Sequence, residues 1–269
     1  MAARSSTWSA AALREMGLAP LWRVRGRQTA ANESFDALQA PAHPGVDRPP
    51  ADASAPAPAA TPRASTDGTR AERIAALDWD ALEAEIRGCR ACQLCERRKQ
   101  AVPGVGDRSA RWMLVGEAPG AEEDERGEPF VGQAGRLLDN MLATIGLERG
   151  RDVYIGNAIK CRPPHNRTPE RAEIAACLPY LERQIALVQP HILIALGRPA
   201  AQALLQREVA IGAARGKRFE RGGTPVVVTY HPAYLLRNPH DKAKAWEDLC
   251  FARRLMGEGD EGDEGGAGG

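Results

Sequence analysis

No apolar run in this 269-residue chain approaches the roughly 20 residues needed to cross a bilayer, so no membrane span is expected. The early stretch SSTWSAAALREMGLAPLWRVR is rich in Arg and Ser, yet it lacks the apolar segment and small-residue cleavage site of a secretory leader. It reads instead as a short arm over residues 1–27. Charge bias is missing too: 36 Lys and Arg face 35 Asp and Glu, a net of +1, so the overall balance does not announce a nucleic-acid binder. Local clusters would have to carry any such contact. No internal repeat is present, which removes solenoid architectures.

Large aliphatic side chains are scarce over residues 28–68, a run of Ala, Pro, Ser, Thr and Asp that buries too little to offset the entropy of ordering. That segment is expected to be a disordered linker. The acidic, glycine-rich stretch 257–269 lacks apolar anchors as well and is expected to be a solvated tail. What remains, residues 69–256, has the length of one ordinary domain.

Within that domain, apolar residues at helical spacing run from Ala71 to Arg87, and Gly88 stands where a helix would stop. Short β-type runs at 112–116, 153–155, 191–196 and 225–230 alternate with helical patterns at 136–145, 169–188 and 198–205. Alternation of this kind predicts a single doubly wound α/β domain with a mostly parallel four-stranded sheet. For the longest helix, Thr168 is the expected cap and Pro169 the first-turn residue. A polar residue or a glycine follows each strand: Glu117, Asn157, Gly197 and His231. Ligands of open parallel sheets bind at the carboxyl ends of strands, so these positions could share a cleft.

Six cysteines in a chain without a secretory signal imply a reducing compartment and favour metal or cluster ligation over disulfides. Cys89 and Cys92 form C-x2-C, while Cys161 follows a strand and Cys177 lies on the next helix. Four thiolates suit either tetrahedral zinc or a [4Fe–4S] cluster, and spacing does not choose between them. Cys95 repeats the C-x2-C spacing with Cys92, and Cys250 is most simply a core thiol.

Three segments, GEAPGAEEDERGEPFVGQAG (116–135), NAIKCRPPHNRTP (157–169) and TYHPAYLLR (229–237), resemble the family 4 uracil-DNA glycosylases, and the likeness extends from about Cys89 to about Leu255. That resemblance implies a base-excision repair hydrolase that flips uracil from single- or double-stranded DNA and cuts its N-glycosidic bond. It also implies a [4Fe–4S] cluster on Cys89, Cys92, Cys161 and Cys177. The cluster would staple the fold, because the hydrolysis moves no electrons. His231 is similar to the family's donor to uracil O2, and Glu117 stands where related enzymes hold a water-positioning carboxylate. Asn157 would read uracil N3–H and O4, Phe130 would stack on the flipped base, and Glu123 would shape the pocket.

Read alone, each of these residues has an ordinary explanation: a core Phe, a turn Asn, a His serving the backbone. The run Glu122-Glu123-Asp124 would ordinarily be a solvated charged face. Lys160, Arg162, Arg167 and Arg237 could neutralise phosphates, and Tyr234 and Leu235 could wedge into the duplex. The expected protein is a cytoplasmic monomer that reaches the nucleoid through DNA. Two alternatives stay open: a relative that traps uracil-DNA covalently through a histidine, for which His165 is the nearby residue, and a non-catalytic iron–sulfur DNA-binding module.

Overall fold

The computed structural model describes residues 67–263, with side chains described for 70–257. The arm and nearly all of the linker, along with residues 264–269, lie outside the described residues.

The chain opens with α1 (Asp67–Ala75) and α2 (Trp79–Gly88). Sequence periodicity suggests one helix here; Asp78 divides it, because its carboxylate accepts from the Ala81 N–H at 2.9 Å and caps a new start. Then follow β1 (Val105–Gly106), β2 (Trp112–Gly116), α3 (Ala121–Arg126), α4 (Gln133–Thr144) and β3 (Val153–Asn157). The second half holds α5 (Arg171–Val188), β4 (Ile192–Leu196), α6 (Arg198–Leu205), α7 (Ile211–Ala214), β5 (Arg218–Arg221), β6 (Thr224–Thr229), α8 (Pro232–Arg237) and α9 (Lys242–Asp263).

The sheet has six strands in the order β1-β3-β2-β4-β6-β5, not the expected four. Its centre is the expected parallel set β3-β2-β4-β6; β1 and β5 add antiparallel edges. The central strands are buried on both faces and read as continuous apolar runs, which makes them legible. Two-residue β1 and half-exposed RFER of β5 lack that signal.

Alternate residues of each central strand feed opposite cores. Leu114, Ile155, Ile194 and Val227 pack with α4, α8 and α9. Met113, Val115, Leu193 and Val228 pack with α5, α6 and α7. A third cluster joins Ile74, Leu82 and Ile86 of the first two helices to Ile159, Cys161, Cys177 and Tyr180.

Two boundaries differ from the sequence reading. Helix α5 starts at Arg171 with Glu170 as its cap, not Thr168: the Glu173 carboxylate reaches back to the Glu170 N–H at 2.8 Å. Helix α9 continues to Asp263, past Met256, since each residue added to an anchored helix gains a backbone hydrogen bond. Among the described residues no helix is long and apolar enough to cross a membrane.

Candidate active site

Strand order reverses about β2, whose parallel neighbours are β3 on one side and β4 on the other. At such a switch point the connections diverge and leave a crevice beyond the carboxyl ends. A cleft of about 700 Å³ lies there. Glu117 after β2, Asn157 at the end of β3, Gly197 and Arg198 after β4, and His231 after β6 all line it, together with Phe130 and Glu123.

The floor is built around a missing side chain. Gly116 pairs with Asn157 in the parallel register. A Cβ on Gly116 would lie 2.3 Å from Asn157 Oδ1 and 2.6 Å from Phe130 Cζ, so only glycine lets the amide and the ring approach each other. Asn157 is 2% exposed, and its Oδ1 is buried with no hydrogen-bond partner. A buried acceptor left alone costs about 1–3 kcal/mol, an arrangement that suits a ligand's N–H.

Phe130 is held in place by the backbone around it. It has a left-handed φ of 56°, uncommon for a bulky residue. Arg149 donates to the carbonyls of Pro129 at 3.0 Å and Phe130 at 2.9 Å. Gly135 lets α4 pass close beneath, since a Cβ there would fall 1.7 Å from the Phe130 carbonyl oxygen. Glu123 ties the same loop: Oε1 accepts from the N–H groups of Val131 (3.0 Å) and Gly132 (3.3 Å), and Oε2 from Gly120 (3.1 Å). Both oxygens are thus engaged with backbone. Asp124, expected to be solvated, is 2% exposed and accepts from the Lys99 N–H at 2.9 Å.

His231 caps α8, and its Nδ1 accepts from the Ala233 N–H at 3.1 Å. Burial, then the charge of Arg237, pulls the imidazole from 6.5 down to about 4. The ring is therefore neutral at pH 7, and with Nδ1 accepting, its proton sits on Nε2 as a free donor. Glu117 moves the other way: burial raises its carboxyl above 4.5 while the nearby Arg198 charge opposes the rise.

Arg198 was not singled out by sequence reasoning, although its position directly after a strand-end glycine is a usable signal. Arg237 also lines the cleft, and both guanidinium groups are exposed. Arg167 lines it but is committed to Glu173 through contacts of 2.6 and 2.9 Å. Arg162 lies outside the cleft lining and donates to Asn166 Oδ1 at 2.7 Å. Two expected DNA contacts fail on burial. Lys160 is 1% exposed, donates to Asn157 O at 2.8 Å and Gln184 Oε1 at 2.6 Å, and is drawn down to about 8 by desolvation. Leu235 is 1% exposed in the core between α8 and the sheet; Leu236, 40% exposed, is the apolar side chain at the surface. Tyr234 lines the cleft and stacks on Tyr230 at 5.0 Å. His165 is exposed and does not line the cleft.

Behind the cleft wall, Cys89, Cys92, Cys161 and Cys177 all belong to the third hydrophobic cluster, and Cys95 and Cys250 do not. Among the described residues no three candidate ligands converge closely enough to hold a metal ion.

Residues 103–250 match the sequence profile of the uracil DNA glycosylase superfamily. A type-4 uracil-DNA glycosylase of Pyrobaculum aerophilum is 46% identical over 183 residues, covering 65% of this chain and 93% of that one. A type-4 uracil-DNA glycosylase of Archaeoglobus fulgidus is 46% identical over 187 residues, 66% of this chain and 94% of its own. A type-5 enzyme of Thermus thermophilus is more distant, 35% identical over 189 residues, 55% of this chain and 85% of that one. With a switch-point cleft of this make-up and relatives matched over nearly their full length, the chain belongs to the uracil DNA glycosylase superfamily, in its type-4 branch.

Proposed function

We propose that this protein hydrolyses the N-glycosidic bond of uracil in DNA, using the cleft at the strand ends to hold the flipped base. The buried, partnerless Oδ1 of Asn157 beside Phe130 carries the reading. Uracil offers a donor at N3 and an acceptor at O4, and one side-chain amide meets both; cytosine presents the reverse pattern. Phe130 supplies the stacking face.

As the bond breaks, negative charge grows on uracil O2 and positive character on the sugar. A donor that strengthens in step with that charge lowers the barrier more than it aids binding. The neutral His231, with its free Nε2–H, is that donor. Glu117 is the anion for the sugar side, aligning water or stabilising the developing cation. Glu123 acts through the loop, fixing Phe130 by its three backbone bonds. Arg198 and Arg237, exposed at the cleft, are the cations for phosphates beside the base, and Tyr234, which lines the cleft, is the wedge residue, with Leu236 the exposed leucine of the same helix.

The four thiols suit a [4Fe–4S] cluster in their chemistry and in their shared apolar surroundings. Burial pushes Cys161 up to about 11 and Cys177 up to about 12, so binding iron would release their protons. The cluster would fasten α2, the end of β3 and α5 together and supplies no step of the hydrolysis. A reducing compartment containing DNA suits both the thiols and the substrate. The covalent-trap alternative loses its residue, because His165 stands outside the cleft.

The test is single-turnover base release from uracil- and cytosine-containing oligonucleotides, read by alkali cleavage. Wild-type protein releases uracil alone, and Asn157→Ala loses roughly 10²-fold or more, as expected where a built hydrogen-bonding site is emptied. Unchanged release by Asn157→Ala would overturn the assignment of the floor. A protein–DNA adduct surviving denaturation would restore the trapping alternative.

A further inference from the structure

In the sequence Arg97-Arg98-Lys99 is an unremarkable basic run, and Arg97 and Lys99 are exposed. Arg98 is not: it turns inward, half-buried, and spends its guanidinium on the cysteine site. Nη1 donates to Cys161 Sγ at 2.8 Å, while Nη2 donates to the carbonyls of Arg87 at 2.7 Å and Cys89 at 3.0 Å. One side chain therefore joins two ligand arms that are far apart in sequence: the C-terminal end of α2 with the first C-x2-C cysteine, and the thiol after β3. Arg70 makes a looser approach from the other side, donating to Ala176 O at 3.0 Å, with Cys89 Sγ at 3.9 Å.

We propose that Arg98 is a positioning residue for the iron–sulfur cluster, clasping the Cys89 arm to the Cys161 arm and donating a charge-assisted hydrogen bond to a ligating sulfur. The inference rests on the cluster reading above. Its chemistry is general. Four thiolates around a cluster concentrate negative charge, a guanidinium beside one of them offsets it, and hydrogen bonds to ligand sulfur tune both retention and potential. Arginine suits the place because its planar fork can address a sulfur and two carbonyls at once, which a lysine ammonium on a shorter reach cannot.

The experiment uses full-length protein purified without oxygen. Iron and acid-labile sulfide are counted, release of iron to a ferrous chelator is timed, and the cluster's reduction potential is measured for wild type, Arg98→Met and Arg98→Lys. Arg98→Met is expected to lose iron roughly 10- to 100-fold faster, the usual scale for removing an outer partner of a metal ligand, with a potential shifted to more negative values. Arg98→Lys, which keeps the charge but not the fork, should fall between, recovering part of the potential. If Arg98→Met does not fold, Arg98→Lys decides alone: iron release at the wild-type rate overturns the proposal. Retention and potential unchanged in Arg98→Met overturn it while leaving the cluster intact. Wild-type protein without iron would overturn the cluster reading itself, and this inference with it.

Discussion

Phe130 and His231 stack on each other, ring centroids 5.4 Å apart and planes inclined by 28°. The ring proposed to stack on the base thus also packs against the ring proposed to donate to uracil O2, and the Ala233 N–H holds the imidazole from its Nδ1 side. Phe130→Ala should therefore slow base release by about 10- to 100-fold, the cost of one base–aromatic stack. Part of the loss should appear in the chemical step at saturating enzyme, because His231 loses a wall. A purely binding defect in single-turnover kinetics would contradict this coupling.

His231 is expected to donate as a neutral imidazole. With its folded value lowered from 6.5 to about 4, the ring stays unprotonated until the pH falls toward 4. Uracil release should show no limb near 6.5 that disappears in His231→Ala, while the variant loses roughly 10²–10³-fold in rate. A limb near 6.5 belonging to this residue would assign it a cationic role instead.

Gly116→Ala should slow uracil release strongly without unfolding the sheet. Its backbone conformation is open to alanine, but the new methyl would sit where Asn157 and Phe130 meet. The expected loss is about 10²-fold or more, from a displaced hydrogen bond and a displaced stack together. Normal activity, or a collapse of thermal stability with no active folded fraction, would contradict the cradle.

Arg198→Ala should act in two ways. Removing the cation beside Glu117 disfavours its carboxylate, so the acid limb of base release should move to higher pH. Loss of one phosphate contact should also flatten the salt dependence of single-strand binding, by about 0.7 in the log–log slope. A variant with unchanged pH profile and slope would place Arg198 outside the site's chemistry.

Cys161→Ser should lose colour near about 400 nm, iron and folded stability together, whereas Cys95→Ser and Cys250→Ser should keep all three. Cys95 and Cys250 stand outside the apolar cluster that gathers the other four. A colourless Cys95→Ser protein would mean that the other C-x2-C pair is the ligating one.

The sequence by itself determined the central sheet, because strands buried on both faces must be apolar throughout, and runs such as ILIAL announce themselves. It also marked Glu117, Asn157 and His231 at the ends of three of those strands, since a change from apolar to polar at a strand end is local information, while Arg198 behind the glycine that follows β4 was missed. What each side chain does there was settled by residues distant in sequence. Leu235 and Leu236 are adjacent leucines, yet one packs into the core and the other faces solvent, a choice made by which face of α8 lies against that core. Lys160 reads as a surface cation until Gln184 and the Asn157 carbonyl close around it. Arg98, in a basic run, is drawn inward by Cys161, 63 residues away. Burial and partner choice depend on which elements come together, and only the folded chain brings Gly116, Phe130, Asn157 and His231 to one cleft.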